Sequence, residues 1–202
     1  MNIFNVISYY TDVDLLKSTY YRDNYLRLKD ELEKHNILYS IDNLISKNDY
    51  MENCLRKPRF ILEKIQQLNT PVLWMDIDCH IQEFPHDFID NEYDICVSVR
   101  ERRQNGEIIP ESCFIYFNNT PSSISFIKDF VNHSEKATRD LDHLILIDLY
   151  NYYIKTENIK IKEFDWHYAS PKHLPMVKIV MGNSISADKR QIEYNIRRQG
   201  RQ

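Results

Sequence analysis

Glycine is nearly missing from this chain: Gly106, Gly182 and Gly200 are the only three among 202 residues. A G-x-G-x-x-G turn or a G-x-x-x-x-G-K-[ST] loop needs several glycines within a few residues, so that backbone amides can close on a phosphate. Neither pattern fits, and the dinucleotide-binding Rossmann and P-loop folds fall away. C-x-x-C pairs are missing too. Cys54, Cys79, Cys96 and Cys113 stand singly and read as reduced, mostly buried thiols of a cytosolic protein, not as zinc ligands. No apolar run approaches the roughly 18 residues of a membrane span. The opening residues, MNIFNV, lack the basic start and apolar stretch of a signal peptide and read as a first strand. Positive charge is not in excess: 26 Lys and Arg stand against 30 Asp and Glu, a formal net charge of -4. That argues against broad nucleic-acid binding, which needs a basic surface.

What remains is a composition of 43% hydrophobic and 28% charged residues, that of one soluble globular domain. The hydrophobic spacing predicts strands over 3–10, 36–42, 71–75, 93–99, 112–118, 159–164 and 177–181. Helical spacing covers 14–35, 58–68, 122–133 and 137–153. The polar stretch 100–111 reads as a loop. The alternating order predicts an α/β fold with a mainly parallel sheet and helices on both sides. The expected domain is 1–186, and the charged tail 187–202 reads as a linker, with further domains of the same polypeptide as a possible continuation.

The segment PVLWMDIDCH, residues 71–80, is the most informative. A buried-looking strand runs straight into Asp76 and Asp78. In a strand, positions i and i+2 share a face, and two carboxylates there repel unless a positive group lies between them. In open α/β sheets ligands sit beyond the carboxyl ends of the strands, where these acids fall. Hard oxygen donors suit Mg²⁺ or Mn²⁺, which take one or two carboxylates together with substrate phosphates. The plainer alternative is a strand end capped in solvent. Arg56, Lys57 and Arg59 precede the acids by a helix and a strand and could reach a diphosphate. Arg100, Arg102 and Arg103 could form a lid over it, or only a solvated loop. His80, His167 and His173 are the histidines to weigh as further metal ligands. Trp74 and Trp166 read as core or sugar-platform residues.

RFILEKIQQLNTPVLWMDIDCHI resembles the DXD region of GT-A fold glycosyltransferases, in which a helix leads to a strand ending in the metal-binding acids. ESCFIYFNN resembles a later strand of that class, with Asn118 matching its final Asn; Glu111 and Cys113 replace an Asn and a Gly. DLDHLILIDLY resembles a helix that begins Asp-Gln in several retaining families; Asp142 matches the Asp and His143 replaces the Gln. In KIVMGNS, Met181 stands where a third, histidine ligand often lies. The resemblance implies a GT-A fold and a metal-dependent hexosyl transfer from a nucleotide-sugar, such as UDP-glucose, to a glycan or glycoprotein, with retention favoured. It implies Mn²⁺ or Mg²⁺ on Asp76 and Asp78. Donor contacts would come from Ser8, Tyr9, Tyr10, Thr11 (with Asp12 beside them), Lys57, Arg59 and Asp76, and catalytic roles would fall to Asp142, His143 and Glu111. Size and composition are similar to those of capsid-glycosylating chlorovirus members, which carries the expectation of a host-cytoplasmic enzyme. Two other classes compete. One is a nucleotide-sugar-binding module without turnover. The other is a haloacid-dehalogenase-like phosphatase, whose motif continues to a Thr where this chain has Cys79 and His80.

Overall fold

The computed structural model describes residues 4–11, 20–47, 49–101, 108–137, 141–156, 158–170 and 174–181. In chain order its elements are β1 (Asn5–Tyr10), α1 (Tyr20–Lys34), β2 (Tyr39–Asn43), α2 (Tyr50–Leu55), α3 (Lys57–Leu68), β3 (Val72–Met75), β4 (His80–Ile81), β5 (Ile95–Glu101), β6 (Ile108–Phe117), α4 (Pro121–Lys136), α5 (Asp142–Thr156), β7 (Ile161–Phe164), β8 (Ala169–Ser170) and β9 (Ile179–Val180). A short 3₁₀ turn, His86–Phe88, follows β4. Among the described residues no helix is long and apolar enough to cross a membrane.

Six strands form the main sheet in the order β2-β1-β3-β6-β5-β7. β1 runs parallel to β2 and β3, and β5 parallel to β7, while β6 is antiparallel to both its neighbours. Five strands therefore share one direction and β6 opposes them, so the sheet is mostly parallel, as expected. Period-two alternation divides the core. Ile7, Trp74, Ile115 and Phe117 face α3, α4 and α5. Val6, Leu73 and Tyr116 face the other way, towards Leu28 and Leu32 of α1. Helices thus cover both faces.

Local chemistry sets the helix ends. Pro58 sits in the first turn of α3, where its missing N–H is not needed. Asn69 ends α3 in the left-handed region at φ 51, its N–H returning to Ile65 O. Thr120 caps α4 by accepting the Ser123 N–H, and Asp49 caps α2 by accepting that of Glu52.

Four expectations need correction. The stretch 100–111 is not wholly a loop: Arg100 and Glu101 extend β5, and Ile108–Glu111 opens β6 opposite them. The helix expected from Ala137 begins at Asp142. α2 was not foreseen at all. Finally, the strand stops at Met75 as expected, but the acids after it do not share a strand face: Asp76 and Asp78 lie in a tight turn, closed by Cys79 N–H to Asp76 O at 2.9 Å. The chain then enters a small second sheet, β4-β9-β8. The expected tail, 187–202, lies outside the described residues.

Candidate active site

The parallel strands β1 and β3 end at one edge of the sheet, and β6, being reversed, begins there. Asp76 is fixed to β6 by its N–H, which donates to Cys113 O at 2.8 Å. The two helix starts that meet this edge bring the rest of the site. Lys57 opens α3 and Asp142 opens α5.

The Lys57 ammonium is the centre of the constellation. Its Nζ lies 2.9 Å from Asp76 Oδ1 and 2.6 Å from Asp142 Oδ2, and it donates to Ser112 O at 3.2 Å. It stands 5.3 Å from the centre of the Trp74 ring, whose Nε1 donates to Asp76 Oδ1 at 2.9 Å. Lys57 is only 5% exposed. Burial alone would pull its pKa down, but the Asp142 and Asp76 carboxylates outweigh it and raise the pKa well above the usual lysine value. Asp76 is pushed up, chiefly by burial; Asp78 and Asp142 add to this and Lys57 opposes it. The chain itself thus supplies a positive group to Asp76, and that group joins it to Asp142 and not to Asp78. Asp78 lies outside that pairing: its Oδ2 accepts the Tyr20 hydroxyl at 3.2 Å, and its carbonyl accepts from Arg27.

The other expected site residues divide. Tyr9 borders the constellation: its ring packs on Phe60 and Trp74, and its hydroxyl donates to Asn53 O at 2.5 Å. Burial raises its pKa well above the usual value. Ser8 is fully buried on the α1 side of the sheet, and its Oγ has no hydrogen-bond partner among the described residues. Tyr10 stacks on Tyr25 with ring centres 4.5 Å apart, and Thr11 is buried at the strand end. His143 is half-buried in the first turn of α5. Glu111 pairs with Arg100 at 2.7 Å; burial raises its pKa against the pull of that guanidinium. No contact among the described residues joins Glu111 to Lys57, Asp76 or Asp142. Arg59 is turned to Glu135 of α4 in an exposed ion pair. Arg56 donates to Ile45 O at 2.7 Å. His80 is held by Glu31 at 2.5 Å, and His167 by Asp165 at 2.7 Å. Asn118 lies at the opposite edge, donating to Asn91 O and Tyr93 O. Trp166 stacks on His167 at the surface. Asp12, Arg102, Arg103 and His173 lie outside the described residues.

Sequence reasoning missed a further group. Tyr20, Arg27 and Glu31 of α1 all reach the acid turn or the strand after it. Their partners are about 50 residues away in sequence, and a charged residue on an amphipathic helix reads as solvated.

A family model described as nucleotide-diphospho-sugar transferase matches residues 13–192. Among solved structures the chain is similar to a glycosyltransferase involved in the glycosylation of the major capsid of PBCV-1. That match has a TM-score of 0.59 and 11% identity, and covers 81% of this chain and 83% of that one. It is also similar to the glycosyltransferase GlyE of Streptococcus pneumoniae TIGR4, with a TM-score of 0.48 and 14% identity over 83% of this chain and 46% of that one. At such identities the likeness is one of fold. No curated protein matches.

Proposed function

The chain belongs to the nucleotide-diphospho-sugar transferase family, and on that premise we propose that it is a metal-dependent enzyme moving a hexosyl group from a UDP-sugar to a hydroxyl of a glycan or glycoprotein. The observation that carries this reading is the Lys57 ammonium joining Asp76 to Asp142 at the carboxyl edge of the sheet.

The residues present fit a divalent cation. Asp76 and Asp78 offer hard oxygen donors two residues apart in one tight turn. Among the described residues no group of three or more His, Cys, Asp or Glu is placed to hold a metal. Asp76 and Asp78 would therefore hold it together with oxygens of the diphosphate. Bound there, Mn²⁺ or Mg²⁺ neutralises the diphosphate as it departs.

The chain's own groups do the rest. Lys57 sits beside Asp76 and is kept charged; with its three N–H groups directed at Asp76, Asp142 and Ser112 O, it acts on the diphosphate through its charge and not by a direct hydrogen bond. Asp142 is buried and its Oδ2 lies 2.6 Å from the Lys57 ammonium. It serves by stabilising positive charge as it grows on the anomeric carbon. This favours front-side attack with retention, the diphosphate accepting the proton of the incoming hydroxyl. In an inverting reaction Glu111 is the better base, because burial raises its proton affinity. His143, next to Asp142, is assigned a hydrogen bond to a sugar hydroxyl. Tyr10 and Thr11, at the end of β1, are assigned to the nucleoside. The resemblance in fold to a viral capsid enzyme makes a host-cytoplasmic glycoprotein acceptor the reading to try first.

A calorimetric screen of UDP, GDP and their sugars, with and without Mn²⁺, tests this. Binding of a UDP species that disappears in chelator is expected, and so is its near-loss in Asp78→Ala with the fold intact. Equal affinity in chelator removes the metal from the reading. Binding without turnover over a panel of acceptors reduces the chain to a nucleotide-sugar-binding module.

A further inference from the structure

Helix α1 carries two stripes. Leu28 and Leu32 fill the core. Tyr20, Asn24, Arg27 and Glu31, spaced four, three and four apart, form a neighbouring polar stripe along the same helix. Asn24 and Glu31 are buried. A carboxylate kept from water is unfavourable unless its oxygens find donors, so the partners of Glu31 are informative. Its Oε2 accepts the Ile81 N–H at 2.8 Å, and its Oε1 lies 2.5 Å from His80 Nδ1. Arg27 Nη2 donates to Asp78 O at 3.2 Å and to Cys79 O at 2.9 Å, and its Nε lies 3.5 Å from Glu31 Oε1. Tyr20 donates its hydroxyl to Asp78 Oδ2 at 3.2 Å.

Apart from the Arg27–Glu31 pair within the helix, these contacts fall on residues 78–81, the second acid and the chain leaving it. Arg27 fixes the carbonyls on either side of the Cys79 nitrogen, and Glu31 fixes the amide two residues later. Together they set the peptide planes of the turn, and hence the direction in which Asp78 presents its carboxylate. The other end of the turn is already fixed by Asp76 N–H to Cys113 O and by Lys57. Asp78 has no such support from the sheet, since the strand has ended.

We propose that Arg27 and Glu31 are positioning residues for Asp78, holding the acid turn in the geometry that receives a divalent cation. The inference rests on the reading that Asp76 and Asp78 hold such a cation. It makes α1, on the face of the sheet opposite α3 and α5, part of the donor site. It also gives His80 a structural partner in Glu31 in place of a metal.

The test is a Mn²⁺ titration of the full chain in the presence of UDP, followed by calorimetry, with thermal unfolding measured on each variant. Arg27→Met keeps the apolar stem and loses both carbonyl bonds. Its Mn²⁺ half-saturation should rise by about tenfold or more, the size found for removing groups that orient metal ligands. Glu31→Ala should shift it in the same direction. Glu31→Gln retains an oxygen for the Ile81 N–H and gains an N–H for His80 Nδ1, so it should restore most of the loss. Leu28→Ala, which empties core space on the same helix, should lower the unfolding temperature and leave the half-saturation where it was. Should Arg27→Met or Glu31→Ala fail to fold, Arg27→Lys, which can serve one carbonyl at most, takes their place with an intermediate loss expected. Wild-type half-saturation in the arginine variants overturns the proposal. So does a shift in Leu28→Ala as large as theirs, because the effect then follows stability alone. A wild-type chain that takes up UDP with no dependence on Mn²⁺ removes the metal reading itself, and the inference with it.

Discussion

On the proposed reading, removing the charge of Asp142 should separate catalysis from binding. Asp142→Asn leaves Lys57 with Asp76 and Ser112 O as partners, so the diphosphate side is little disturbed. Turnover should fall by about two powers of ten, the order expected for losing a placed charge-stabilising group. UDP affinity should hold within a few-fold. UDP release measured with a defined acceptor, beside calorimetry on the same protein, checks both; unchanged turnover removes Asp142 from the reaction. Asp76 carries a pH consequence. Its folded pKa is raised, chiefly by burial, above that of an ordinary aspartate. The folded chain therefore binds that proton more tightly than the unfolded chain does. The stability this lends is complete below the unfolded value and is lost as pH rises through the raised value. Metal uptake runs the other way, since it needs the ionised carboxylate. Mn²⁺ affinity should begin to fall, on acidification, at a higher pH than an unperturbed aspartate would give. Lys57 is the group that opposes the rise, so Lys57→Met should move this acid limb further up. A limb that stays put in Lys57→Met shows that the ammonium does not govern Asp76.

At the scale of elements, the two helix starts that meet at Lys57 differ in kind. Asp142 in the first turn of α5 suits the positive end of that helix, whereas an ammonium at the start of α3 opposes it. The paired carboxylates offset this. The opposite edge supplies a control. Thr120 caps α4 there, beside Asn118 and away from the acids. Thr120→Ala should lower stability by about 1 kcal/mol, or roughly 2–4 °C of melting temperature in a chain of this size. Nucleotide and Mn²⁺ binding should be unaffected; a loss of binding in this variant means that the two edges are coupled. Some elements were legible in the sequence, for reasons these contacts make plain. VLWM is buried on both faces and stops at a charge, so β3 and its acids stand out. The Phe60, Ile61 and Ile65 spacing marks α3 equally well. β4 and β8, at two residues each, are too short to carry a period, whereas β9 falls inside the strand expected over 177–181. The arms of the β5–β6 hairpin hid behind Arg100 and Glu111, whose charges meet each other and not water alone.

At the scale of the molecule, the direction of β6 was not legible, because alternation of side chains is the same whichever way a strand runs. Nor was the pairing of Lys57 with Asp142, which depends on that topology: the reversed strand β6 carries the chain to the far edge and α4 runs back, so that α5 begins beside the acids. The constellation also sets what a ligand does to stability. With Lys57 beside Asp76, the carboxylates have a counter-charge before any cation arrives, and chelator alone should leave the melting temperature unchanged. Mn²⁺ with UDP at about a hundred times the dissociation constant should add about 2.7 kcal/mol by mass action, a rise of several degrees by scanning calorimetry. A fall in chelator shows instead that a resident metal supports the fold. The distance along the chain between Lys57 and Asp142 has one more consequence. Synthesis proceeds from the N-terminus, and Lys57 emerges 85 residues ahead of Asp142. Until α5 leaves the ribosome, the ammonium that must be buried has only half of its carboxylate partners. A nascent fragment ending before Asp142 therefore presents Lys57 with Asp76 as its one acidic partner of the two.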